Sequence, residues 1–317
     1  MPEVRDEAGS EGLIGGSSRE GACAPRPGTV VTGSSSPSRF VRTAYLESAS
    51  ASKISATRRH SGAFQNDRAK PGLRTLDDMP SLDPANGSHA AQPAEVPLLG
   101  GRITLGVVRV GDTVRRPVGP HSAFVHAVLR HLEQVGFADA PRFLGIDDQG
   151  RECLSYIEGF VPDNLDAGLT DERLSDAARL LRRYHDATAG SALAGVEEVV
   201  CHNDISPVNT VFVDGRPTAL FDFDMARPGP RIHDVSYGMF LWLNLGWDGQ
   251  PPEEQRGRIR LWCDAYGLAY RSDIIDEVKQ RVRKTVIRRR CDGAEDAALW
   301  WQHQLEWLER HERAIAP

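Results

Sequence analysis

The feature that most constrains the fold of this chain is a pair of short apolar segments joined by a tight turn. Polar side chains lie at both outer ends of the pair. Residues 210–213 and 217–223 have the composition of strands, and Asp214-Gly215 between them is typical of a hairpin turn. A hairpin brings its outer ends together. Asn209, before the first strand, and Asp222, near the end of the second, are therefore expected at one mouth, with Asp204 in the loop five residues before Asn209.

These three side chains suit phosphoryl transfer from a nucleotide. Mg²⁺ prefers hard oxygen ligands such as the Asn209 amide oxygen and the Asp222 carboxylate. A carboxylate at Asp204 would orient an acceptor hydroxyl and accept its proton. The spacing predicts a small-molecule kinase that uses ATP or GTP with Mg²⁺, with Asp204 as the catalytic base and Asn209 and Asp222 as metal ligands.

The run from Val200 to Asp234 resembles the aminoglycoside phosphotransferase and choline kinase-like family, whose motif is His-Gly-Asp, then Asn, then Asp in an apolar strand. Leu154-Ser155-Tyr156-Ile157-Glu158-Gly159 and the helix over 177–188 extend the resemblance upstream. It implies an α+β, protein-kinase-like bilobal fold. Residues 96–158 would form a small lobe of antiparallel sheet with one helix, and residues 159–317 a larger, mainly helical lobe.

The resemblance also assigns supporting residues. It implies that hinge backbone near Ser155 and Ile157 holds adenine, and that Asp234 accepts backbone hydrogen bonds from the catalytic loop. His202 is expected to hold that loop through a hydrogen bond and not to act as the base. The Gly100-Gly101 turn is either a flexible cover over the phosphates or a plain hairpin turn.

Two departures from the family pattern concern the catalytic loop and the phosphates. Asn203 stands where the family has Gly, which is compatible with a left-handed backbone because Asn also adopts it. The lysine expected on the third strand is absent, and Arg115 aligns with it, with Arg109 or Arg116 as alternatives. An arginine can hold phosphate oxygens with two parallel bonds. The helix that should supply an acidic partner reads Phe124-Val125-His126-Ala127, without an acid.

The first 95 residues differ in composition from the rest of the chain. They contain 14 Ser, 10 Gly and 8 Pro but three aromatic residues, whereas all six Trp lie from Trp242 onward. Such a segment buries too little apolar surface to offset the entropy of ordering it. Residues 1–95 are predicted to be a disordered tail. Because the next methionine after Met1 is Met79, residues 1–78 are also a candidate for a misassigned translation start.

Charge and cysteine content exclude several classes of protein. Lys plus Arg equals Asp plus Glu in residues 1–95, so the net charge of −6 belongs to residues 96–317. A mildly acidic folded part argues against a nucleic-acid partner and is compatible with a cationic substrate. No segment has the length and apolarity of a membrane span or the pattern of a secretory signal. Five scattered cysteines agree with a reducing, cytoplasmic location.

The C-terminal part is predicted to be helical but offers less specific signals. Asp264, Asp273, Asp276 and Glu277 would suit an amine-bearing acceptor, although solvated helix faces explain them equally well. Arg288-Arg289-Arg290 near a helix end are explained by the helix dipole. Besides the kinase, two alternatives remain: a non-catalytic nucleotide-binding or regulatory pseudokinase, and a metal hydrolase built on His202, Asp204 and Asp222.

Overall fold

A five-stranded antiparallel sheet forms the smaller part of the molecule. In the computed structural model, residues 94–98, 106–165, 170–246 and 250–317 are described. The strands are β1 Glu95–Pro97, β2 Val108–Val110, β3 Thr113–Pro117, β4 Phe143–Ile146 and β5 Arg151–Ser155. They lie in the spatial order β1-β2-β3-β5-β4, and paired neighbours are antiparallel. Strand β5, which leads into the hinge, therefore lies between β3 and the edge strand β4.

One helix packs on this sheet. Helix α1 spans Ser122–Gln134, and the side chains of Val125, Val128, Leu129 and Leu132 are buried at helical spacing. The helix ends at Val135-Gly136, where Gly136 has a positive φ of 76°. The helix that the sequence analysis placed at Phe124-Val125-His126-Ala127 is therefore confirmed.

The larger part consists mainly of helices around an aromatic core. They are α2 Asp171–Thr188, α3 Arg231–Leu243, α4 Pro252–Tyr266, α5 Ile274–Cys291 and α6 Glu295–Ile315. The Thr170 side chain caps α2 by accepting from the Arg173 N–H at 3.4 Å. Trp262 and Trp301 are fully buried. None of the described helices combines the length and apolarity needed to cross a membrane.

Two short antiparallel pairs support the loop between the sheet and the helices. They are β6 Val199–Cys201 with β9 Arg227–Gly229, and β7 Thr210–Val213 with β8 Arg216–Leu220. Phe160 after the hinge exchanges backbone hydrogen bonds with Phe212 in β7, at 2.8 and 2.7 Å. Gly159 permits this approach, because a Cβ there would lie 2.8 Å from the Phe212 carbonyl oxygen. The hinge is thereby tied to the hairpin.

The protein-kinase-like fold predicted from the sequence is confirmed. The predicted second hairpin strand over 217–223 is wrong at its end, because β8 stops at Leu220. Asp222 has φ 64° and ψ 63°, which cannot continue a strand, and a 3₁₀ turn over Phe223–Met225 follows. Gly100 and Gly101, together with 1–93 of the predicted tail and its suggested start at Met79, lie outside the described residues. Glu95 belongs to β1, one residue before the predicted boundary at 96, and the lobe limits stay predictions.

Candidate active site

The loop that carries Asp204 is held by one buried carboxylate. The Asp234 carboxylate, in the first turn of α3, accepts the backbone N–H groups of His202 and Asn203 at 2.5 and 2.7 Å. Asn203 has φ 64°, the left-handed conformation that the sequence analysis expected it to tolerate. Its side-chain amide donates to the Met225 carbonyl oxygen at 3.2 Å. These bonds fix the backbone immediately before Asp204.

Asp204 and Asn209 are in direct contact. The Asn209 amide nitrogen donates to the Asp204 carboxylate and to the Asp204 carbonyl oxygen, both at 2.9 Å. Both residues are buried. Because the amide nitrogen is directed at Asp204, the amide oxygen of Asn209 points away from it.

Asp222 lies at the same end of the β7–β8 hairpin. The N–H of Phe221, its neighbour, donates to the Asn209 carbonyl oxygen at 3.1 Å. The two predicted metal ligands therefore lie on backbone segments that are hydrogen bonded to each other, as the hairpin argument required.

Arg116 of β3 occupies the centre of a buried charge cluster. Its guanidinium contacts Glu152 of β5 at 2.5 Å and both carboxylate oxygens of Asp224, at 2.5 and 3.1 Å. The Asp222 carboxylate is 3.8 Å away. Burial would lower the pKa of Arg116, but Asp224, Glu152 and Asp222 outweigh it and raise that pKa. The guanidinium is therefore permanently charged beside Asp222.

His126 of α1 completes the cluster on the helix side. Its Nε2 is 2.5 Å from the Glu152 carboxylate, and its ring stacks on Phe143 with centroids 3.8 Å apart. The acid that pairs with the strand cation thus comes from β5, and the helix contributes a histidine. The sequence reasoning missed Glu152 and His126. Glu152 is the direct cross-strand neighbour of Arg116, which only the strand pairing reveals.

Arg115, the residue that the sequence aligned with the family lysine, faces the opposite side of β3. Its guanidinium contacts Cys153 at 2.6 Å and Asp147 at 3.7 Å, away from Asp222. Side chains alternate across a strand, so Arg115 and Arg116 must face opposite sides of the sheet. The structure brings Arg116 to the site and leaves Arg115 outside it. Arg109 also lies elsewhere, over the ring of Tyr156 at 3.6 Å.

A cleft between the sheet and the hairpin leads to these charged groups. Its walls are apolar along most of their length, and Arg116 and Asp222 lie at one end; the lining includes Val107, Val114, Leu154, Ser155 and Phe221. In the hinge, the Ser155 N–H donates to the Arg142 carbonyl oxygen, and the Tyr156 N–H donates to the Asp112 carbonyl oxygen. No hydrogen bond among the described residues engages the Ile157 N–H. Ile157 lies outside the lining of this cleft, in a larger neighbouring cavity that shares Leu129, Pro141 and Ser155 with it.

Two buried histidines support the loop and are not exposed to the cleft. His202 Nε2 donates to the Phe221 carbonyl oxygen at 3.0 Å, and burial lowers the pKa of His202, so its ring is neutral. His185 Nε2 donates to Asp234 at 3.1 Å, and His185 Nδ1 is hydrogen bonded to the Tyr266 hydroxyl at 2.7 Å. Burial alone would raise the pKa of Asp234, but the bonds and charge from His185 lower it.

His185 and Asp234 also lie close enough to Cys201 to form a three-ligand metal group. Burial raises the pKa of the Cys201 thiol, so a thiolate ligand is disfavoured. The histidine and carboxylate are already engaged in the bonds just described. This group is therefore explained by packing and hydrogen bonding alone.

Comparisons with known proteins give consistent matches. A model of the phosphotransferase enzyme family matches residues 116–272. The trifolitoxin immunity protein of Rhizobium leguminosarum bv. trifolii is 31% identical over 254 residues, 68% of this chain and 95% of that protein. The structure of aminoglycoside 2'-phosphotransferase-IIIa with GDP is 13% identical with a TM-score of 0.47, over 71% of this chain and 94% of that one. The structure of an aminoglycoside phosphotransferase from Alicyclobacillus acidocaldarius is 14% identical with a TM-score of 0.48, over 71% of this chain and 92% of that one.

Proposed function

We propose that this chain, which belongs to the phosphotransferase enzyme family, moves the terminal phosphate of ATP to a hydroxyl group of a small molecule, with Asp204 as the base. The observation that carries the proposal is the contact between Asp204 and Asn209 beside the hairpin mouth that holds Asp222. A carboxylate that accepts an amide hydrogen bond is fixed in orientation. Asp204 can then align the acceptor hydroxyl and take its proton as the new bond to phosphorus forms.

The charge cluster suits a divalent cation. Around Arg116, the three carboxylates of Glu152, Asp222 and Asp224 outnumber the guanidinium, and His126 pairs with Glu152. Asp222 and the outward amide oxygen of Asn209 supply the hard oxygen ligands that Mg²⁺ prefers. Bound Mg²⁺ would neutralise charge on the phosphates. In this proposal Asn209 has two tasks: it orients Asp204 with its nitrogen and binds the metal with its oxygen.

Arg116 takes the place of the missing lysine in this proposal. It is buried at the charged end of the cleft and is held there by Glu152, so its orientation is fixed before a nucleotide arrives. Its Nη1 and Nη2 groups hold the Asp224 carboxylate, so Arg116 would act beside the phosphates as a fixed positive charge. The Ile157 N–H and the apolar walls would hold the base of the nucleotide.

The name of one relative bears on the acceptor. The trifolitoxin immunity protein is named for protection against a toxin. An acceptor that is a toxic compound inactivated by phosphorylation is therefore favoured over a housekeeping metabolite.

Nucleotide binding with two matched variants tests the proposal. The full chain is titrated with ATP at several Mg²⁺ concentrations. Asp222→Asn is expected to weaken Mg²⁺-dependent binding about ten-fold or more, because a charged metal ligand is lost. Asp204→Asn is expected to bind ATP as the wild type does and to lose transfer. Equal loss of binding in both variants, or binding that ignores Mg²⁺, would contradict the assignment. Binding without transfer to any acceptor would favour the pseudokinase alternative.

A further inference from the structure

Arginines border the catalytic loop on the side of the C-terminal helices. Arg281 of α5 donates to the Asn203 carbonyl oxygen at 2.9 Å and to its side-chain oxygen at 3.4 Å. The same guanidinium lies over the ring of Tyr237, 4.4 Å from its centre. Asn203 directly precedes Asp204. Arg281 is therefore fixed one residue from the proposed base, with two of its five N–H groups in use.

Two further arginines lie close to Arg281, and we call the three the arginine triad. Arg227 of β9 is the cross-strand partner of Cys201, which leads into the catalytic loop. Arg288 is seven residues after Arg281 on α5, and so on the same helix face. Partial burial and the positive charges of Arg281 and Arg288 lower the pKa of Arg227. The triad is thus a concentration of like charge.

The triad and Asp204 influence the same hydroxyl group. Burial and the negative charge of Asp204 raise the pKa of Tyr237 to about 12, while Arg281 and Arg288 act in the opposite direction. Tyr237 belongs to α3, which packs on the catalytic loop. Through its hydrogen bond to the Asn203 carbonyl oxygen, Arg281 brings one cation of the triad next to the residue that precedes Asp204.

Carboxylates act on the triad at longer range: the negative charge of Asp234 raises the pKa of Arg227, and Glu277 lies one turn before Arg281 on α5. None of the ion pairs among the described residues involves Arg227, Arg281 or Arg288. The four acids that the sequence offered for an amine-bearing acceptor contact other groups: Asp264 contacts Arg271 at 2.5 Å, Asp273 the Ser272 hydroxyl at 2.6 Å, Asp276 Lys279 at 2.7 Å and Glu277 His233 at 3.7 Å.

Structural roles do not account for all three charges. The helix dipole explains a cation in the last turn of α5, such as Arg288. It does not explain Arg227, which lies on a strand, and Arg281 supports the catalytic loop with two of its five N–H groups. Like charges held together cost free energy unless an anion compensates them.

We infer that the acceptor carries an oxyanion, a carboxylate or a phosphate ester, which the arginine triad binds while the acceptor's hydroxyl lies at Asp204. This inference rests on the proposed function, since it names the substrate class of the same site. The planar guanidinium fork matches carboxylate and phosphate oxygens with two parallel bonds. Polycationic acceptors such as aminoglycosides are disfavoured by the same charges.

The anion site is tested without turnover, using inorganic sulfate as the probe. The full chain is saturated with MgADP, and the binding of sulfate to it is measured calorimetrically. Sulfate replaces chloride in the buffer so that the ionic strength stays constant. Arg227→Gln and Arg288→Gln are expected to weaken sulfate binding about ten-fold or more each, because a charged hydrogen bond is lost. Arg283→Gln is the matched control, because Arg283 lies on the opposite face of α5 and pairs with Glu309. Sulfate affinity that is equal in all four proteins would overturn the inference.

The link to the acceptor is tested with matched alcohols that differ in one group. Transfer from ATP to a hydroxy acid, its amide and the corresponding amino alcohol is compared. A lower KM for the hydroxy acid, raised about ten-fold by Arg288→Gln with kcat retained, supports the inference. Preference for the amide or the amine overturns it and leaves the proposed function intact. Failure to bind MgATP defeats the proposed function, and the sulfate result then decides the anion site alone.

Discussion

Removing the Arg116 guanidinium is expected to destabilise the protein severely. Glu152 is fully buried, and Arg116 is its principal cationic partner. Breaking a buried pair by removing one partner costs about 3–5 kcal/mol, since the remaining charge stays desolvated. For a folded part of this size, Arg116→Met should lower Tm by roughly 6–20 °C. Urea unfolding at pH 7.5, with the midpoint and slope fitted together, measures the loss of unfolding free energy.

Two further variants separate charge burial from lost packing. Arg115→Met removes an arginine from the same strand, and because its contact with Asp147 is partly exposed it should cost only about 1 kcal/mol or less. Adding Glu152→Gln to Arg116→Met should recover part of the stability, because the stranded charge is removed. A loss within about 1 kcal/mol for Arg116→Met, or no recovery in the double variant, would refute the reasoning.

Three other outcomes follow from the contacts of the loop and the hinge. Asp234→Asn should cost about 3 kcal/mol in urea unfolding, because it weakens the bonds to the catalytic loop, and a cost near zero would contradict that role. The lowered pKa of His202 means that the unfolded chain takes up a proton below pH 6.5 before the folded one does. The contribution of His202 to the free energy of unfolding should therefore be fully present above that pH. Below it, the free energy of unfolding should fall by at most about 1.4 kcal/mol per pH unit, and the fall should be less steep in His202→Gln. Gly159→Ala should cost about 1–3 kcal/mol through its clash with β7, whereas Gly257→Ala, in an open helix position, should be neutral or stabilising.

The proximity of the three proposed site residues could be predicted from the sequence because it depends on local structure. Asp204, Asn209 and Asp222 are brought together by one loop and one hairpin, and turn residues between apolar runs predict a hairpin directly. The helix near 124–127, the helix over 177–188 and the helical C-terminal part were also predicted, since burial repeats along them at helical spacing. Helix α3 was not predicted, because its residues from Asp234 to Leu243 are all buried and show no apolar stripe.

Contacts that depend on strand register were not predictable. A shift of one residue turns every side chain of a strand to the other face, so an alignment cannot choose between Arg115 and Arg116. Glu152 becomes the partner of Arg116 only through the pairing of β3 with β5. The arginine triad likewise combines residues from β9 and α5, which are 54 residues apart at their nearest, Arg227 and Arg281. Nothing local in the sequence connects them.

Phosphate transfer by the full chain is the measurement that tests the central claim most directly. ATP labelled in its terminal phosphate is incubated with Mg²⁺ and a panel of hydroxyl compounds, including hydroxy acids, amino alcohols, sugars and aminoglycosides. The account predicts a labelled acceptor with the wild type, and a rate reduced at least about a hundred-fold in Asp204→Asn at unchanged ATP affinity. Transfer at an equal rate by Asp204→Asn would contradict the claim that this carboxylate is the base.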